Sequence, residues 1–157
     1  MGLEVFGNDL VYAANPNSNT GNELYKTDGS GNVTLIKDIA TTLLASSNPR
    51  ELTVLGNWIY FSADNGSTGR ELWRSDGTNA GTQLIRDINT VGGGGGMPTL
   101  SSNPSDFFQV GSTVYFTADN GINGDELWKT TGSAGGTVMV KDITVGTGST
   151  IISDMIE

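Results

Sequence analysis

The 157-residue chain carries 8 Lys and Arg against 17 Asp and Glu, a net charge of −9, and it contains neither histidine nor cysteine. Disulfides and thiolate metal sites are therefore excluded, and with histidine go the commonest general base, the Ser-His-Asp triad and most transition-metal sites. The deficit of basic residues argues against nucleic acid and against an anionic membrane surface, and no apolar run has the length of a membrane span.

The first residues, "MGLEVFGNDL", have no basic region followed by a long apolar run, so no signal peptide is visible. From Leu3 onward a single pattern occurs three times: "LEVFGNDLVYAANPNSNTGNELYKTDGSGNVTLIKDI" (3–39), "LTVLGNWIYFSADNGSTGRELWRSDGTNAGTQLIRDI" (52–88) and "FFQVGSTVYFTADNGINGDELWKTTGSAGGTVMVKDI" (107–143). A period of roughly 50 residues marks stacked or radially arranged repeats. The chain is read as one repeat domain, 1–157, with repeats over 3–51, 52–106 and 107–157.

Each unit predicts four short strands, clearest in the second at 52–55, 58–63, 71–75 and 82–88. They are rich in Val, Ile, Thr and aromatics and are bounded by Gly, Asn and Asp. Gly7-Asn8, Gly56-Asn57 and Gly111-Ser112 suit two-residue hairpin turns. Folding the third and fourth strands about "SDGTNAG" places Trp73 opposite Leu84 and Glu71 opposite Arg86. The same register sets Tyr25 against Leu35 and Glu23 against Lys37, then Trp128 against Met139 and Glu126 against Lys141. Burying an aromatic gives about 1.5–3 kcal/mol and a cross-strand charge pair about 0.2–1. The aromatic is expected to hold the hairpin and the charge pair to fix its register.

The recurring "GNELYKTDGS", "GRELWRSDGT" and "GDELWKTTGS" resemble the bacterial repeat family named for its ELWxxDGT signature, found in large secreted and cell-surface proteins. The likeness covers nearly the whole chain and is strictest in "ELWRSDGTNAGT". Repeat 1 departs with Tyr25 for Trp and a shorter turn, and repeat 3 has Thr131 where repeat 2 has Asp76. Those departures argue against the turn aspartate as a catalytic or obligatory metal residue. The resemblance implies β-propeller-like blades, a secreted or cell-surface location and no established enzymatic activity. Four-stranded antiparallel units in tandem are independently the blade pattern. An all-β fold of three such repeats is therefore expected, with a β-trefoil, three copies closing one barrel, as the alternative.

Loops after the second and fourth strands of a meander gather at one end. There "ANPNSNTGN", "ADNGSTGR" and "ADNGINGD" offer candidate ligand-binding residues Asn15, Asn17, Asp64, Asn65, Asp119 and Asn120. The run from Gly92 to Gly96 adds a glycine-rich stretch to the connection after repeat 2. Ser62-Ala-Asp64-Asn-Gly66 and Thr117-Ala-Asp119-Asn-Gly121 are similar to part of the Asp-box turn of sialidase-like propellers. Trp73 and Trp128 follow too late to complete it, and such a carboxylate ordinarily closes its own turn. Calcium, which favours Asp, Asn and carbonyl oxygens, is the candidate metal, with Asp28 and Asp76 as ligands. "NVT" (32–34) and "NGS" (65–67) match glycosylation acceptors.

Carboxylates recur once per repeat, without the distinctive extra pair that glycoside hydrolysis needs. The chain is therefore expected to be a non-catalytic extracellular module for self-assembly or adhesion. A glycan-binding lectin with one site per repeat is the alternative, and a sialidase-like hydrolase the third reading. Because both ends fall between repeats, a second copy is expected to continue the pattern through the outer blade faces. Two chains would then complete a six-bladed ring, with an open fibre as the variant.

Overall fold

The computed structural model describes residues 2–16, 20–43, 45–92 and 100–152. Among these the chain is all-β, with three separate four-stranded antiparallel sheets and no helix. Sheet 1 holds β1 (Leu3–Phe6), β2 (Asp9–Ala14), β3 (Glu23–Thr27) and β4 (Val33–Lys37). Sheet 2 holds β5 (Arg50–Leu55), β6 (Trp58–Asp64), β7 (Arg70–Ser75) and β8 (Gln83–Arg86). Sheet 3 holds β9 (Ser105–Val110), β10 (Thr113–Asp119), β11 (Asp125–Thr130) and β12 (Val138–Lys141). In each, consecutive strands are neighbours, so every sheet is a simple meander. At the first hairpins, φ is positive only at the glycines, Gly7 (63°), Gly56 (61°) and Gly111 (60°). That is the Gly-X pattern of a type II′ turn, whose twist matches the strands.

The sheets stack face to face through two cores. Ile59, Phe61, Ala63 and Trp73 of sheet 2 meet Val11, Leu24 and Ile36 of sheet 1. From its opposite face Tyr60, Leu72 and Ile85 meet Val114, Phe116, Ala118 and Trp128 of sheet 3. Sheet 2 is thus buried on both sides, which is why "WIYFSA" is apolar in both phases of the strand alternation. The same ring pair recurs in each junction: Phe61 with Trp73 and Phe116 with Trp128, both with centroids 6.5 Å apart. Consecutive sheets also approach through their first strands, β1 beside β5 and β5 beside β9. These are open sheets stacked as blades, not the closed barrel of a trefoil.

The aromatic register is as expected, with Tyr25 opposite Leu35, Trp73 opposite Leu84 and Trp128 opposite Met139. The charge register is not. Between Leu72 and Trp73 the ladder shifts, because β8 carries one extra residue, Ile85, and Arg86 therefore lies opposite Leu72. Lys37 likewise faces Leu24, and Lys141 faces Leu127. A bulge of this kind offsets everything beyond it by one residue. Glu23, Glu71 and Glu126 are consequently not partners of the basic residues. Lys37 Nζ instead reaches the carbonyl of Asn79 in the outer turn of sheet 2, at 3.2 Å. The Arg86 guanidinium reaches the Ala134 and Thr137 carbonyls in the outer turn of sheet 3.

Candidate functional site

The three glutamates of the repeated motif are fully buried and bind the chain that leaves their own sheet. Glu71 accepts hydrogen bonds from the Ile88 amide (2.8 Å), the Ser102 amide (3.0 Å) and the Ser102 hydroxyl. The Ile88 bond explains why β8 ends at Arg86, short of the predicted 88. Glu23 does the same with the Ile39 amide (2.9 Å), the Ser47 amide (2.8 Å) and the Ser47 hydroxyl. Glu126 accepts from the amides of Ile143 and Thr144, both at 3.1 Å, and from the Thr150 hydroxyl.

The glycine two residues before each glutamate makes room for this. Gly69 has φ +67°, and a Cβ there would stand 3.0 Å from the Leu100 carbonyl. Gly21 and Gly124 meet the Ala45 and Gly148 carbonyls even more closely. Next to them the hydroxyls of Ser46, Ser101 and Ser149 accept the amides of Asn22, Arg70 and Asp125. The connecting segment is then fastened to the following sheet, because the Ser47 and Ser102 carbonyls accept the amides of Asp64 and Asp119. The signal for this was present as "SSNP" at 46–49 and again at 101–104. It lies just ahead of the predicted unit starts at 52 and 107, and β5 and β9 themselves begin at Arg50 and Ser105.

Burial pushes the Glu71 carboxyl up to about 7, against the bonds from Ser102 and Ile88, and neighbouring Asp87 adds to the rise. Burial raises Glu23 as well, against its bonds from Ser47 and Ile39. At Glu126 burial also acts upward, but the Ile143 and Thr144 amides and the Thr150 hydroxyl outweigh it and its carboxyl lies below the ordinary value. Glu126 belongs to the last sheet, on whose outer side no described sheet packs.

The candidate ligand residues close their own turns. Asp64 accepts the Gly66 amide and Asp119 the Gly121 amide, each at 2.7 Å. Asn65 Oδ1 takes the amides of Ser67 and Thr68, and Asn120 Oδ1 those of Ile122 and Asn123. Asn15 is exposed at the end of β2, and Asn17 and Gly93 to Gly96 lie outside the described residues. Asp28 caps its turn through the Ser30 and Asn32 amides, and Asp76 through the Thr78 amide and hydroxyl. The Asn32 side chain and amide hold the Asp28 carboxyl below the usual range, as Thr78 does for Asp76. These two turns lie at the end of the meander opposite Asp64 and Asp119, so the candidate residues do not converge. Among the described residues no group of three or more Asp or Glu is placed to hold a metal ion. Tyr25, Trp73 and Trp128 are buried core residues.

What the repeats leave open is a pair of apolar faces. On sheet 3, Val140 and Ile143 are exposed, while their counterparts Ile36, Ile39, Ile85 and Ile88 are buried; Ile143 is 51% exposed and Ile88 6%. On sheet 1, Leu3 is 65% exposed where its counterpart Leu52 is 4%, and Leu10 is exposed where Ile59 and Val114 are buried. A comparison with models of known protein families gave no match, and a comparison with curated proteins found no similar sequence.

Proposed function

We propose that the chain is a non-catalytic repeat module that associates head to tail with a second copy of itself. The observation that carries this is the equivalence of the free faces with the buried ones. The outer face of sheet 3 repeats, position by position, the face of sheet 2 that covers sheet 3. The outer face of sheet 1 repeats the face of sheet 2 that covers sheet 1. Docking the first on the second in another copy would follow the plan of a junction the chain already makes twice, with Leu10, Tyr12 and Tyr25 in the places of Ile59, Phe61 and Trp73. The Thr150 hydroxyl reaches Glu126 as the Ser102 hydroxyl reaches Glu71, and the Thr150 amide reaches the Asp125 carbonyl as that of Ser102 reaches Arg70. A secreted or cell-surface setting, in assembly or adhesion, rests on the ELWxxDGT resemblance alone.

Mass in solution tests the proposal, measured for the parent and for Ile143→Lys. The parent is expected to form a closed ring or a fibre at micromolar concentration, and the variant to remain a folded monomer. A parent that is monomeric throughout that range sinks the idea. Saturable glycan binding lost on Asp64→Ala with Asp119→Ala would instead favour the lectin reading, although those carboxylates are already engaged in their turns.

A further inference from the structure

The three repeats differ at one place in a way that leaves a charge unanswered. In sheet 2, Arg70 opens β7 and folds its side chain back across β6. Its Nη1 donates to the carbonyls of Asn48 (2.8 Å) and Ser62 (3.1 Å), with Asp64 near enough to favour its charge and Arg50 near enough to oppose it. This corner is filled, and a second cation, Arg50, stands near it.

In sheet 3 the counterpart of Arg70 is Asp125. Asn103 and Thr117 stand for Asn48 and Ser62, and Ser105 and Asp106 stand for Arg50 and Glu51. These residues, with Thr150 and the apolar Ile151 and Ile152, line an open cleft of about 380 Å³. Arg50 and Arg70 have no basic counterpart here, yet the acidic positions 51 and 64 persist as Asp106 and Asp119. Asp106 even keeps the unusual backbone of Glu51, with φ +56° against +55°. The Thr117 and Ser105 hydroxyls hold Asp106 through Oδ2, and the Ser149 hydroxyl holds Asp125 through Oδ2. Among the described residues none donates to Oδ1 of either carboxylate. The matching cleft of sheet 1, about 290 Å³, has Asn22 and Ala13 in these positions and includes Arg50 in its wall, so it carries a cation of its own.

We infer that the cleft of repeat 3 binds a guanidinium group, an arginine side chain supplied by a partner peptide, where repeat 2 carries its own. The occupant's chemistry is read from Arg70 itself, since the same fold encloses a guanidinium one repeat earlier. A guanidinium has five donors in a fixed fork, and carboxylate oxygens beside the backbone carbonyls of Asn103 and Thr117 suit that fork. The chain's net charge of −9 favours the approach of a cationic segment. Head-to-tail association plays no part in this, so either idea survives the failure of the other.

Calorimetric titration of the full chain with a short peptide bearing one arginine tests the assignment, against the same peptide with citrulline in its place. Saturable one-to-one binding is expected for arginine and none for citrulline. Asp125→Asn and Asp106→Asn should each weaken binding by roughly tenfold or more, the loss of a charge-assisted hydrogen bond. Asp125→Arg should abolish binding, because it installs the guanidinium that repeat 2 already accommodates. Asp125 and Asp106 are exposed, and thermal melting establishes that the variants are folded. Arginine amide binding as well as the peptide would show that the guanidinium alone is recognised, and tighter peptide binding that the flanking chain adds to it. Equal binding of the citrulline peptide, binding that survives Asp125→Arg, or no saturation by about 10 mM would overturn the assignment.

Discussion

Glu71 and Ser102, 31 residues apart in the chain, are joined by both the amide and the hydroxyl of the serine, so one buried carboxylate ties the end of repeat 2 to the start of repeat 3. Because Ile88 donates to the same carboxylate, both oxygens of Glu71 accept a backbone N–H. Glu71→Gln puts a donor where an acceptor is needed. Whichever way the amide turns, either the Ile88 or the Ser102 N–H loses its partner. A buried N–H left unpaired costs about 1–3 kcal/mol. The expected outcome is a fall of that size in urea-unfolding stability, and Ser102→Ala should show a similar one. A loss below about 0.5 kcal/mol for both would return Glu71 to the role of an ordinary surface charge.

The same carboxylate sets a pH dependence. Its folded value, about 7, stands above the ordinary 4.5, so the folded state holds the proton more tightly than the unfolded chain. The stabilisation from this group is therefore complete below about pH 4.5 and is lost as pH rises through 7. Protonation keeps both oxygens as acceptors and lets the new O–H donate to the Ser102 hydroxyl, which the amide of glutamine cannot imitate fully. Unfolding stability should be higher near pH 5 than near pH 8, by roughly 2.5 kcal/mol if this group acts alone. Glu23, raised for the same reason, adds in the same direction. Glu71→Gln should remove the larger part of the slope, and a variant with an unchanged slope would show that another group is responsible.

The buried aromatic is tested by size and by polarity separately. Trp73→Ala should cost about 3–5 kcal/mol, since it empties the centre of the sheet 1–sheet 2 core. Trp73 Nε1 is buried without a hydrogen-bond partner, whereas Trp128 Nε1 donates to the Ala118 carbonyl at 3.0 Å. Trp128→Phe should therefore cost more than Trp73→Phe, by about 1 kcal/mol, in paired thermal melts. Equal costs, or an unchanged melting temperature for Trp73→Ala, would mean that the rings do not act as described.

The repeat, the strands and the aromatic pairs were legible because each leaves a period in the sequence. "ELW" alternates, its partner strand alternates, and Trp73 meets Leu84 as simple counting requires. The glutamates were not legible for the same reason. Ile85 adds one residue to β8 without disturbing its apolar character, and a bulge is invisible to a count that assumes strict alternation. The linker role of Ser47 and Ser102 did have a signal in "SSNP", but serine and asparagine beside proline read first as a loop. The cleft beside Asp125 could not be seen at all without knowing that Arg70 folds back across β6.

Arg86 and Lys141 occupy the same place in successive repeats and separate stability from association. Arg86 spans from sheet 2 to the outer turn of sheet 3, as Lys37 spans from sheet 1 to that of sheet 2. Lys141 is exposed on the last sheet and has no described sheet to span to. Arg86→Ala removes bonds from a charged donor to backbone carbonyls, partly screened by solvent, and should lower the urea midpoint by about 1 kcal/mol of stability. Lys141→Ala should leave that midpoint unchanged in dilute protein. If a second copy docks its sheet 1 on sheet 3, Lys141 would meet the turn after β3, the counterpart of the turns met by Lys37 and Arg86. Lys141→Glu should then shift the mass distribution toward monomer at a concentration where the parent associates, and added salt should favour the parent's association by screening its excess negative charge. A Lys141→Glu variant that associates as the parent does would place the contact on some other surface.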